Sequence, residues 1–210
     1  MAEVKPRCRL YLQFPGEPTP KLEAQLTRVL AAADAACVLL SGDGNAIDEQ
    51  HVDRLTDLVQ RADAACLLDG DAELAMRLGT DGVHLPSDVE LYRTARSLLG
   101  SEASIGVGCG LMRHEAMHLA ELGADYVGFA PHSPSDIDSI DQCAELIAWW
   151  AEIFVVPCIA FDIDTVDQAE RFASLGADFV APSKLIWQAD DGVDRIAKIA
   201  SAISRARRAA

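Results

Sequence analysis

A six-residue phrase that recurs along the chain limits what it can fold into. Leu122-Gly123-Ala124-Asp125-Tyr126-Val127 returns as Leu175-Gly176-Ala177-Asp178-Phe179-Val180 and, more loosely, as Leu78-Gly79-Thr80-Asp81-Gly82-Val83. An earlier pair matches too: Leu26-Thr27 with Ala33-Asp34-Ala35-Ala36-Cys37, and Leu55-Thr56 with Ala62-Asp63-Ala64-Ala65-Cys66. Each copy reads as an amphipathic segment ending at a small residue, a short polar turn and a brief apolar run. That is a helix C-terminus feeding a buried strand. A chain that repeats one such unit is built from stacked copies of it.

The spacing predicts strands near 10–14, 37–40, 66–68, 82–85, 104–107, 126–129, 157–161 and 179–181. It predicts helices near 21–33, 49–61, 72–78, 88–99, 112–122, 139–151 and 166–175, and a last one from about 193. The strands are near-continuous apolar runs, as in a parallel sheet buried on both faces. Ser87 with Glu90 and Thr165 with Gln168 fit the capping box, and Thr19-Pro20 puts proline at a first helical position. Lys198, Arg205, Arg207 and Arg208 crowd the last helix, where cations complement its negative end. Eight units in 210 residues average about 26 each, which fits a small (β/α)8 barrel. An open doubly wound sheet normally carries G-x-G-x-x-G after its first strand. Here Pro15-Gly16-Glu17-Pro18 follows it, and no linker divides the chain. One barrel domain over residues 1–210 is expected.

Eighteen Lys and Arg stand against 33 Asp and Glu, for a net charge of -15. That balance argues against nucleic acid and against an anionic membrane surface, both of which are bound through Lys and Arg. The longest apolar run, Ile153 to Phe161, has nine residues and holds a proline, far short of a bilayer span. The N-terminus has no long apolar stretch of the secretory kind. A cytoplasmic protein is expected. Its six cysteines show no C-x-x-C pair and read as reduced; Cys37, Cys66 and Cys158 sit in apolar runs as small buried hydrophobes.

In such a barrel, ligands meet the loops that follow the strands. Those loops are 41–45, 69–71, 86–88, 108–111, 130–138, 162–164 and 182–188. They carry Asp43, Asp69, Asp71, Asp88, Asp136, Asp138, Asp162 and Asp164, with Lys184 as the certain cation and His132 nearby. The mouth is acidic.

At these positions the chain resembles a known family. Thr80-Asp81-Gly82-Val83-His84-Leu85 is similar to the A-D-G-V-H-L stretch of thiamine phosphate synthases. Ile105-Gly106-Val107, then Leu122 through Pro131, resembles that family's I-G-V-S and L-G-A-D-Y-x-G-x-G-P, and Gly176-Ala177-Asp178-Phe179-Val180 its final G-A-D-G-V. The match runs in order from about residue 9 to residue 200 and is shared with the TenI-like relatives. The resemblance implies a (β/α)8 barrel. It also implies transfer of hydroxymethylpyrimidine from its diphosphate to a thiazole phosphate, with Mg²⁺.

The loop motifs depart from that pattern. The family's Q-x-R-x-K after strand two becomes Leu40-Ser41-Gly42-Asp43-Gly44, without its cations. Its two magnesium aspartates fall on Gly70 and Val89, beside Asp69, Asp71 and Asp88; a shift of one residue makes Asp69 and Asp88 the metal pair. S-x-H-T becomes Gly108-Cys109-Gly110-Leu111, T-x-T-K becomes Ser135-Asp136-Ile137-Asp138, and the phosphate-cradling G-G becomes Asp162-Ile163. Replacing several donors by carboxylates turns attraction for a diphosphate into repulsion, so transferase activity is expected to be weak or absent.

No catalytic residue is assigned. His132, Ser135, Asp162, Ser183 and Lys184 are the candidate ligand-binding residues, with Ser183-Lys184 placed where barrels often bind phosphate. Asp162 and Asp164 alternate as a metal pair would, unless Asp164 caps the next helix. His84, inside a strand, reads as structural, and Cys109 lacks an evident base. Trp149-Trp150 is a candidate homo-oligomer interface. Two classes remain: a synthase-type enzyme with an altered site that takes a small phosphorylated ligand, and a non-catalytic ligand-binding or regulatory relative that has lost the transfer chemistry, or an enzyme acting on a different small metabolite.

Overall fold

The computed structural model describes residues 7–16, 19–41 and 48–206. The strands are β1 (Arg9–Pro15), β2 (Ala35–Ser41), β3 (Ala65–Asp69), β4 (Gly82–Pro86), β5 (Ser104–Gly110), β6 (Tyr126–Phe129), β7 (Cys158–Phe161) and β8 (Phe179–Ala181). The helices between and after them are α1 (Pro20–Ala32), α2 (Glu49–Arg61), α3 (Ala72–Leu78), α4 (Val89–Leu99), α5 (Arg113–Glu121), α6 (Ile137–Ile153), α7 (Val166–Leu175) and α8 (Gly192–Arg205), with a 3₁₀ turn at Lys184–Gln188 before the last. Neighbouring strands pair in parallel and β8 closes onto β1. The chain is a (β/α)8 barrel.

The helix starts show where local chemistry departs from the sequence expectation. Thr19 accepts from Leu22 N–H with proline at the first helical position, and Thr165 accepts from Gln168 N–H. The start of α4 is shifted by one residue. Asp88, not Ser87, is the cap, its carboxylate accepting the N–H groups of Glu90 and Leu91. Ser87 instead donates its hydroxyl to Glu115 on α5. Arg205 lies in the last turn of α8, Lys198 sits mid-helix, and Arg207 and Arg208 fall outside the described residues.

The recurrent aspartate has a specific task. Asp81, Asp125 and Asp178 each begin the turn into an even-numbered strand. Each donates its own N–H to one carbonyl on the preceding strand: Cys66 at 2.8 Å, Ile105 at 3.0 Å and Cys158 at 3.0 Å. Each carboxylate also accepts the N–H of that same residue, at 2.7, 2.7 and 2.9 Å. The result is a two-point pin that sets strand register where the ladder begins. Strands β1 and β2 are tied differently, by the Arg9–Asp34 ion pair at 2.9 Å.

Side chains alternate between two cores. Leu10, Leu12, Phe14, Val38, Leu40, Val83, Ile105, Val107, Val127 and Phe129 pack outward against the helices. Tyr11, Cys37, Leu39, Leu67, Tyr126, Ile159 and Phe161 fill the barrel interior. Two glycines make room for the rings. A Cβ at Gly106 would lie 1.8 Å from the Tyr126 ring, and one at Gly128 would lie 2.4 Å from Phe161. Trp150 is fully buried and donates its indole N–H to Val156 O, while Trp149 is half-buried with the Arg113 guanidinium 4.7 Å above its ring.

Two outcomes follow from this packing. Asp178→Ala removes a charge-assisted hydrogen bond and is expected to cost about 1.5–3 kcal/mol of unfolding free energy. Asp178→Asn, which keeps an acceptor, should cost less; equal losses in denaturant titrations would contradict the pin. None of the six cysteines forms a disulfide and all are buried, and burial pushes the thiols of Cys66, Cys109 and Cys143 up to about 12. A thiol-reactive chromophore should therefore label the folded protein slowly at neutral pH and titrate all six cysteines in denaturant.

Candidate functional site

At the C-terminal end of the strands lies a cavity of about 380 Å³. Polar groups from four strands reach it: Gln13 on β1, Asp69 at the end of β3, His84 on β4 and Asp162 after β7. Gly108, Gly128 and Phe161 form part of its wall. This is the end at which barrel enzymes bind their ligands.

Asp162 is held in the left-handed region at φ 60°. Its carboxylate accepts from Gln13 Nε2 at 2.9 Å, and the same amide donates to Pro182 O at 3.0 Å. Burial raises its pKa above the usual carboxylate range; Gln13 and Lys184 oppose the shift and Asp164 adds to it. Asp69 is raised by burial as well, against a hydrogen bond from Ser41 and the charge of Lys184. Lys184, exposed at the mouth, is thus the cation that both carboxylates feel.

Asp164 does not cap α7, a task that Thr165 performs. Its carboxylate turns to β8 and accepts the N–H and the hydroxyl of buried Ser183, at 2.7 and 2.8 Å. Arg195 of α8 donates to Asp164 O at 3.0 Å and fixes the loop from behind. The donors of Ser183 thus face a carboxylate of the chain itself.

His132 and Ser135 lie exposed in the loop after β6, away from the cavity wall. His132 N–H donates to Ser139 Oγ, and the Ser135 hydroxyl pairs with Ser133 at 3.0 Å. Of the proposed metal pair, Asp69 lines the cavity and Asp88 caps α4. Among the described residues, no three His, Cys, Asp or Glu side chains are grouped to hold a metal ion. A magnesium ion usually takes one or two carboxylates and fills its other positions with water and substrate phosphates; of the expected pair, Asp69 is the carboxylate that the cavity offers. The expected Asp43 falls outside the described residues.

Sequence reasoning passed over Gln13 and took His84 as structural. Gln13 had a signal, being the polar residue in the apolar run 10–14 and in register with the inward-facing Tyr11. His84 faces the cavity and accepts from or donates to Tyr126 at 3.1 Å through Nδ1. Burial lowers its pKa to about 4, so the ring is neutral at physiological pH. No helix among the described residues is long and apolar enough to cross a membrane.

A family model described as thiamine monophosphate synthase matches residues 19–186. The thiamine-phosphate synthase of Rhodospirillum centenum is 40% identical over 186 residues, covering 86% of this chain and 89% of its own length. That of Erythrobacter litoralis is 35% identical over 199 residues, covering 91% and 93%. Among solved structures, thiamine phosphate pyrophosphorylase from Pyrococcus furiosus aligns at a TM-score of 0.76 and 19% identity, covering 94% and 96%. At that identity the structural match speaks for the fold alone.

The raised carboxyl of Asp162 gives a pH test. A carboxyl whose pKa is raised on folding binds its proton more tightly in the folded state. Ionising it therefore costs stability, and the cost appears as pH rises from the ordinary Asp range through the raised value. Asp162→Asn keeps an acceptor for Gln13. It is expected to melt at a higher temperature than the parent near pH 7, with the gap shrinking toward about pH 4. A gap that does not change with pH would show that the charge is not what burial opposes.

Proposed function

Because the chain belongs to the thiamine monophosphate synthase family, we propose that it is a one-domain family barrel, residues 1–210, whose hydroxymethylpyrimidine transfer is weak or absent. The pairing of Asp164 with Ser183 carries this reading. Barrels often bind phosphate with the loops after strands seven and eight. Here a phosphate would have to displace a carboxylate from two donors, with Asp162 beside it.

Transfer from a diphosphate requires neutralising the charge that develops on the leaving group. Lys184 is placed to contribute, with Ser183 as its neighbour, but it is shared between Asp69 and Asp162. The Mg²⁺ that the family resemblance implies would find Asp69 at the cavity and Asp88 committed to α4. Loss of one preorganised donor costs roughly 10²–10³ in rate. Loss of several leaves little, even when the effects are not additive.

The cavity suits a small metabolite, with the chain working in the cytoplasm apart from nucleic acid and membranes. Half-buried Trp149 is the surface on which a homo-oligomer would form. A second reading, a competent synthase, is favoured by the names its relatives carry at 35–40% identity.

One assay separates the two. With hydroxymethylpyrimidine diphosphate, thiazole phosphate and Mg²⁺, turnover should stay far below the roughly 1 s⁻¹ of an ordinary enzyme. Turnover at or above that rate would establish the synthase. A thermal-shift series with each precursor, with and without Mg²⁺, then reports which of them the cavity holds, since a bound ligand stabilises the fold.

A further inference from the structure

A buried chain of hydrogen bonds runs from the barrel interior to the mouth. Tyr11 Oη and Tyr126 Oη are 2.9 Å apart, and Tyr126 Oη is 3.1 Å from His84 Nδ1. Behind them Cys37 contacts the Tyr11 hydroxyl. The rings are fixed by packing: His84 stacks on Tyr126 at an interplanar angle of 9°, and both Tyr11 and His84 lie against Phe161. We infer that Tyr126, backed by Tyr11, holds His84 as its Nε2–H tautomer, so that the floor of the mouth cavity presents one fixed N–H donor.

The direction follows from counting donors. Suppose His84 gave its Nδ1 proton to Tyr126. Tyr126 would then donate to Tyr11, and the Tyr11 O–H would be left with a thiol sulfur, a weak acceptor. A buried hydroxyl without a good acceptor is costly. In the opposite direction Tyr11 donates to Tyr126, Tyr126 donates to Nδ1, and the Tyr11 oxygen faces the weak S–H donor of Cys37. Every strong donor then has a strong acceptor. The neutral ring with Nδ1 occupied as an acceptor carries its proton on Nε2.

Nε2 is kept open by a missing atom. A Cβ on Gly108 would lie 2.9 Å from Nε2, and one on Gly128 would lie 3.6 Å from the neighbouring Cε1. With glycine at 108 the N–H points into unfilled space beside Gln13, Asp69 and Asp162. The floor therefore recognises a hydrogen-bond acceptor, a ring nitrogen or carbonyl oxygen, and disfavours an N–H or a cation at that point. The carboxylates of Asp69 and Asp162 on the same cavity favour donors. Tyr126 is a positioning residue here, acting through His84.

The inference rests on the reading of the mouth cavity as the ligand site. Its test uses ligand-free protein, so its failure and a failure of the weak-transferase reading stay separate. In protein labelled with ¹⁵N at histidine, two-bond proton–nitrogen correlations report which ring nitrogen is protonated. His84 should show the Nε2–H pattern; an Nδ1–H pattern would overturn the assignment. Tyr126→Phe should move the Nδ1 resonance to that of an unbonded nitrogen, and an unchanged resonance would overturn the role of Tyr126. If that variant does not fold, Tyr11→Phe serves, because it should retain the Nε2–H pattern; conversion to Nδ1–H would count against the proposed direction. Exchange of the Nε2 proton with water should be fast in the parent and slowed in Gly108→Ala. A parent proton already protected from water would show that the donor does not face the cavity.

Discussion

The register of this barrel depends on a carboxylate gripping the backbone of the strand next door. Asp81, Asp125 and Asp178 each bind both the N–H and the carbonyl of a single residue on the preceding strand. A one-residue slip in a parallel ladder exchanges inner and outer faces, sending Tyr126 and Phe161 out of the interior. Because the pins act at the N-terminal rim, the opposite rim is free to vary. That division of labour lets a family keep its fold while its loops change chemistry.

The mouth shows what such change does. Asp162 occupies a left-handed backbone position at φ 60°, conformational ground that glycine occupies without strain. The side chain is retained through Gln13, which also ties the loop to Pro182. Two residues on, Asp164 takes the donors of Ser183. Both carboxylates are thus built into the loop framework, and Lys184 balances part of the charge of Asp162.

The strands were legible because burial on both faces leaves an apolar run that few other structures need. Strands β6 and β8 and helices α2, α3 and α7 fall at the expected residues. The ends of α6 were not, since Ile137 and Ile153 lie at exposed termini where periodicity carries no signal. The repeated Asp was visible as a letter, but its target could not be read, because the partner lies 15 to 20 residues away across a closed sheet. At the site, Asp69 and Asp162 were found from their place after strands. The helix starts were harder, because several polar residues compete for one cap: Asp88 takes the place expected of Ser87, and Thr165, not Asp164, caps α7.

The pins also divide the ring unequally. They join β3 to β4, β5 to β6 and β7 to β8, and each is made within a single strand–helix–strand stretch. A break of the chain in α4 or α6 leaves every such grip inside one fragment, whereas a break in α3, α5 or α7 separates an aspartate from its target. The natural building block of this ring is a doublet of strands, and its seams run through alternate helices.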